Sequence, residues 1–159
     1  MRIIYTAVLA MLLVTAAACA QTPKDFEPPQ LADFPRGTLE IERTGGRDNF
    51  RIWIADTEAR QEQGLMYIRD LPPDYGMVFP LQPQRVMYMW MKNTYLPLDM
   101  LFYDGQGRIT HIQERATPLS EAIIESGGVV AGVLELLGGE VARRGIKPGD
   151  RVVIHGRGN

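Results

Sequence analysis

Val86-Met87-Tyr88-Met89-Trp90-Met91-Lys92-Asn93-Thr94-Tyr95-Leu96-Pro97-Leu98-Asp99-Met100-Leu101-Phe102-Tyr103 decides how this chain reads. Methionine and aromatic residues alternate on the first arm, Leu98 to Tyr103 is apolar apart from Asp99, and Lys92-Asn93-Thr94 with Pro97 punctuate the middle. Period-two alternation bounded in this way predicts two strands framing a polar loop. Pairing the arms antiparallel, with Met91 opposite Leu98 and Trp90 opposite Asp99, sorts the side chains by face. One face carries Met87, Met89, Met91, Leu98, Met100 and Phe102, the predicted core face. The other carries Val86, Tyr88, Trp90, Asp99, Leu101 and Tyr103, a carboxylate beside an indole and two phenols, as in a lined cleft. A one-residue slip would bury Asp99 among methionines, which the cost of desolvating a carboxylate penalises.

Outward from this stretch, short strands and tight turns continue. Thr38 to Glu42 and Asn49 to Ala55 alternate around Thr44-Gly45-Gly46-Arg47, a hairpin signature. Asp56 is placed to cap a helix over Thr57 to Gln63 that Gly64 ends. Gly76 to Pro80 reads as a short strand. Asp104-Gly105-Gln106-Gly107 is a turn before a strand at Arg108 to Gln113, where Ile109 and Ile112 have opposite parity and Gly107 offers a bulge. Val129 to Leu136 is a buried strand interrupted by Gly132 and carrying Glu135. Gly139 to Arg144 is a short helix closed by Gly145, and Arg151 to His155 is a last strand. The predicted fold class is α+β, mainly antiparallel β, a sheet curled toward a barrel or sandwich with about two short helices.

Residues 1–20 carry a lone Arg2, an apolar run from Ile3 to Ala18 and small residues at its end, the pattern of an export signal. The run is shorter than the roughly 20 residues a membrane span needs. Two endings fit. Ala18-Cys19-Ala20 suits ordinary cleavage, and Ala16-Ala17-Ala18-Cys19 resembles a lipobox that would make Cys19 a lipidation site. The predicted location is therefore the periplasm, free or lipid-anchored, with no other membrane contact. Residues 21–37, with Pro23, Pro28, Pro29 and Pro35, read as an extended, largely unpacked tether, and 38–159 as one globular domain. Loss of Arg2 with the leader leaves 16 basic against 19 acidic residues, a net charge of −3 that predicts no nucleic-acid partner. Cys19 is the only cysteine, so the domain has neither disulfide nor thiol nucleophile.

Trp90-Met91-Lys92-Asn93-Thr94, then Pro97-Leu98-Asp99 and Phe102, then Val133-Leu134-Glu135-Leu136 and Gly149-Asp150, resemble the family of domain-of-unknown-function 192. Gly64-Leu65-Met66 and Gly76-Met77-Val78-Phe79 fit the same pattern. The resemblance covers nearly all of residues 55–154. It implies a compact, mainly β fold with small helices in bacterial, often exported, proteins, and no established activity.

Some chemistry is excluded by inventory. Ser120 and Ser126 are the only serines and neither sits in a strand-turn-helix elbow, so a serine hydrolase is not expected. His111 and His155 are far apart in sequence and the domain lacks cysteine, which disfavours zinc. No metal or other cofactor is expected. Met87, Met89 and Met91 are soft ligands that suit Cu(I), but strand alternation already accounts for them as core. Asp99 is read first as a clamp on the loop, accepting backbone N–H groups of Asn93 or Thr94 and reaching the Lys92 ammonium, and second as a general acid or base. Glu135 must find a partner such as Lys92 or an arginine, or be protonated. The leading function is an exported binding module whose cleft, formed by Tyr88, Trp90, Lys92, Asn93, Thr94, Asp99 and Glu135, takes a small polar ligand such as a carbohydrate. One alternative is a hydrolase with Asp99 and Glu135 as its acid-base pair. Another is an envelope protein-interaction or scaffold domain.

Overall fold

Seven strands, β1 (Arg36–Arg43), β2 (Gly46–Ile54), β3 (Tyr75–Met89), β4 (Leu98–Tyr103), β5 (Ile109–Ala116), β6 (Ile124–Leu137) and β7 (Arg151–Gly158), form one sheet in the order β5-β4-β6-β3-β2-β1-β7. The computed structural model describes residues 26–158, so the leader, Cys19 and the start of the tether lie outside it. Every neighbouring pair is antiparallel except β2 and β3. A parallel pair needs a crossover connection, and α1 (Glu58–Gln63) lies within it. The sheet curls without closing: Arg108 and Arg151 form one bridge between its edges, and Val152 N–H donates to the Gly107 carbonyl at 2.7 Å.

Two cores cover its two faces. One draws on all seven strands through Leu39, Phe50, Val78, Leu101, Ile109, Leu134 and Val152, which places it inside the curl. The other holds Trp53, Met77, Phe79, Met89, Met91, Met100, Phe102 and Val133. Its cover is the crossover, through Leu65, Ile68 and Leu71, and the segment before β1, through Leu31 and Phe34.

That segment corrects the loose-tether expectation over its described part. Leu31 and Phe34 are buried, Pro29–Leu31 form a 3-10 turn, and Phe26 meets the ring of Trp53 edge-on at 6.1 Å. The prolines set the backbone path, and the apolar residues between them supply the burial.

The central hairpin is also corrected. β3 and β4 are not neighbours, because β6 lies between them and pairs with both, Met77 and Met100 each standing opposite Glu135. The face assignment nonetheless survives for the core face, since a strand inserted in register between two others preserves their parity. Met89, Met91, Leu98, Met100 and Phe102 are all buried in the outer core, with Met87 packed against it.

Smaller differences have local causes. Thr57, not Asp56, caps α1 by accepting from the Arg60 N–H at 3.3 Å, while Asp56 pairs with the Arg60 guanidinium at 2.6 Å. Ile109 and Ile112 both face the inner core because the register against β4 shifts between Phe102 and Tyr103, so the bulge falls within β5 rather than at Gly107.

Gly132 has a packing reason. It stands opposite Tyr103, and a Cβ there would lie 2.2 Å from the phenol oxygen and 2.8 Å from the Phe79 carbonyl oxygen. Gly132→Ala should cost about 2–3 kcal/mol in urea unfolding. A loss under about 0.5 kcal/mol would mean that the Tyr103 ring is free to move aside.

Candidate functional site

The loop after α1 and the loop after β3 meet edge to edge. Tyr67 N–H donates to the Asn93 carbonyl at 2.9 Å, and the Asn93 side-chain amide lies 3.8 Å from the Met66 sulfur. Both joined residues sit in the left-handed region, Tyr67 at φ 65° and Asn93 at φ 56°. Asparagine tolerates that conformation, whereas a bulky aromatic holds it only where its surroundings impose it. The second loop is fixed from behind: Met91 N–H donates to the Ser120 carbonyl, Leu119 N–H to the Thr94 carbonyl, and buried Thr94 to the Lys92 carbonyl.

Between the loops runs a groove of about 380 Å³, lined by Ala59, Glu62, Met66, Trp90, Lys92 and Asn93, with Tyr67 at its rim. Adjoining it, and sharing Glu62, Gln63, Met66 and Trp90, is a smaller cavity of about 60 Å³ that Tyr88, Thr94 and Glu135 also line. Tyr67, Tyr88 and Trp90 are 49%, 59% and 42% exposed, large rings left in water beside a concavity. The Lys92 ammonium lies 5.2 Å from the Trp90 ring centre and makes no ion pair among the described residues. Six of the seven residues expected at the cleft, Tyr88, Trp90, Lys92, Asn93, Thr94 and Glu135, therefore line these two adjoining spaces.

Asp99 is the exception. It is fully buried and points to the inner face, its three hydrogen bonds coming from backbone N–H groups of Arg115 at 2.8 Å and of Gly139 and Val141 at 2.9 Å. It is a clamp, but on other partners than Asn93, Thr94 and Lys92. Gly139 and Val141 open α2 (Glu140–Arg144), whose own cap residue offers no side chain. Asp99 thus caps this helix from a neighbouring strand, meeting N–H groups that have no partner within the helix and complementing its dipole.

Asp99 and Glu135 do not share a cleft. Asp99 stands opposite Leu136 and Glu135 opposite Met100, and successive residues of a strand point to opposite faces. The sheet itself separates the two carboxyls, so the geometry does not support an acid-base pair. Glu135 is nearly buried and accepts no hydrogen bond among the described residues. Burial pushes its carboxyl up to about 8. No fully buried side-chain oxygen lacks a partner among the described residues, so the Glu135 oxygens open onto the small cavity rather than into sealed core.

A separate cavity of about 480 Å³ lies at the other end of the sheet, lined by Phe26, Trp53, Tyr75, Arg36, Arg51 and His155 among others. Sequence reading passed over it, although Arg51 and Trp53, both pointing away from the Ile52 face, hint at an aromatic and cationic surface. The described residues hold no cluster of three or more His, Cys, Asp or Glu side chains suited to a metal.

Among solved structures, the chain is similar to a protein from Sinorhizobium meliloti 1021 described as a "putative transcription regulator", at 45% identity, with 76% of this chain and 95% of that one covered and a TM-score of 0.74. It is also similar to a protein of unknown function from Novosphingobium aromaticivorans DSM 12444, at 34% identity, with 82% and 99% covered and a TM-score of 0.73. No curated protein matches. The family profile of DUF192, described as uncharacterized ACR, matches residues 40–154, which span β2 to β6 whole and half of each of β1 and β7 as well as the groove, and the chain belongs to that family.

Proposed function

We propose that this is an exported binding module, delivered by the leader at residues 1–20, whose groove takes a small polar ligand with a flat apolar face, such as a sugar ring. The supporting observation is the exposure of Tyr67, Tyr88 and Trp90 around a groove that also offers Lys92 and Asn93. An indole face stacks on the C–H side of a ring while an ammonium and an amide meet hydroxyls, and strained, cross-bonded loops hold these groups in place before binding. Nucleic acid is a poorer fit. The net charge is −2, and the helices among the described residues, Glu58–Gln63 and Glu140–Arg144, are too short to read a major groove. The regulator description of the Sinorhizobium protein is therefore not carried over as DNA binding.

Titration with glucose, N-acetylglucosamine and their oligomers, followed by indole fluorescence and melting temperature, tests the reading. At least one sugar should raise the melting temperature, and Trp90→Ala should weaken its binding at least about tenfold while leaving the unliganded melting temperature within a few degrees. No response from any sugar, or equal affinity in Trp90→Ala, sinks it.

A further inference from the structure

The smaller cavity adjoining the groove holds a second chemistry. The cavity of about 60 Å³ is lined by three methionines, Met66 from the loop after α1 and Met87 and Met89 from β3, together with the Glu135 carboxyl from β6. At that size it admits an ion or one or two waters, and no sugar ring. Met87 and Met89, two residues apart on β3, both pack against the outer core and both line the cavity. Met66 is brought to them by the strained Tyr67–Asn93 junction and held by the Asn93 amide.

A core explanation covers the methionines but not the carboxyl. Packing against Met77 and Met100 on either side leaves Glu135 4% exposed, and it has neither hydrogen-bond donor nor cation among the described residues. Lys92, which with an arginine was one of the partners expected from the sequence, points its ammonium at Trp90 instead. A buried carboxyl left open to a cavity is costly unless something positive or hydrogen-bonding enters that cavity. The donor set restricts what that is. Calcium and magnesium require six or more oxygens, and zinc favours thiolate, imidazole or several carboxylates, whereas the lining has no thiol and no imidazole and its two carboxylate residues are buried Glu135 and exposed Glu62. Thioether sulfur is a soft donor that selects Cu(I) among biological cations.

We propose that Met66, Met87 and Met89 form a Cu(I) site, with buried Glu135 supplying a negative charge that balances the ion. The site goes beyond the sugar-binding reading and does not depend on it, since its ligands are thioethers and a carboxyl rather than the aromatic rings.

The test uses the full chain carrying Cys19→Ala, which removes the one thiol that would compete. Cu(I) is titrated anaerobically against a chromophoric chelator, bicinchoninate. The parent should withdraw one equivalent of copper from the chelator. Leucine replaces methionine with little change in volume, so Met66→Leu, Met87→Leu and Met89→Leu in one chain should melt near the parent and withdraw none. Glu135→Gln should weaken retention by about ten- to a hundredfold. The ε-methyl resonances, followed with Ag(I) as a redox-inert substitute, give a reading that needs no substitution: those of Met66, Met87 and Met89 should shift together at one equivalent, and that of buried Met91 should stay. A parent that leaves all copper with the chelator, a triple variant that retains it, or Ag(I) shifts confined to other methionines overturns the site.

Discussion

Asp99→Ala should remove about 3–5 kcal/mol of folding stability, measured by urea unfolding at neutral pH. Three backbone N–H groups, those of Arg115, Gly139 and Val141, converge on this one carboxylate, and Asp99 is fully buried. An orphaned buried donor costs about 1–3 kcal/mol, and hydrogen bonds to a charged acceptor lie at the strong end. The three costs overlap, because α2 has five residues and no side-chain cap of its own, so losing Asp99 frees the whole turn at once. Asp99→Asn keeps one acceptor oxygen but turns an amide NH₂ toward donors, and should cost less, about 2–3 kcal/mol. A small domain has only about 5–15 kcal/mol in total, so poor yield of Asp99→Ala is itself expected. A clamp predicts unchanged affinity of the groove for ligand in whatever fraction folds. Either a loss below about 1 kcal/mol or a groove inactivated in folded Asp99→Asn would refute the assignment.

The same residue shows where the sequence was informative and where it stopped. Alternation in the stretch from Val86 to Tyr103 gives the side of the sheet for the core-face residues, because parity is a local property of a strand. It cannot name the neighbour, since Met91 facing Leu98 across a hairpin and the same residues flanking an inserted strand produce one pattern. β6 supplied the insertion from more than twenty residues downstream. Asp99 was accordingly readable as a buried polar group needing N–H donors, while its actual donors, up to 42 residues away in sequence, were not. The groove was legible for a related reason. Tyr88, Trp90, Lys92, Asn93 and Thr94 lie within one short segment, so chain connectivity alone kept them together. Tyr67 and Met66 come from the crossover, and nothing in their local sequence points to Asn93. The left-handed backbone at Tyr67 is a consequence of docking, with no glycine to announce it. Glu135 was recognised as anomalous within an apolar run; that it lacks a partner follows from the direction Lys92 takes, which depends on Trp90.

Glu135 should give this protein a stability that falls as pH rises, in metal-free buffer with a copper chelator present. Burial raises its carboxyl from 4.5 to about 8 in the folded chain. Below about pH 4.5 both folded and unfolded chains carry the proton and the residue contributes no pH dependence. Between 4.5 and 8 the unfolded chain has released its proton while the folded chain still holds it. Folding then takes up a proton, and stability declines with increasing pH until it levels above 8. The full difference is on the order of 4 kcal/mol, an upper figure because the oxygens open onto a cavity that water can enter. Glu135→Gln is close in shape and cannot ionise. At pH 5 it should match the parent to within about 1 kcal/mol, and at pH 8.5 it should be more stable by about 2–4 kcal/mol, in urea unfolding at both values. Other titrating groups shift both proteins alike, so the change in the difference between them isolates Glu135. A difference equal at the two pH values would show that the carboxyl ionises in the folded state as it does in water, and would require a donor or cation beside it.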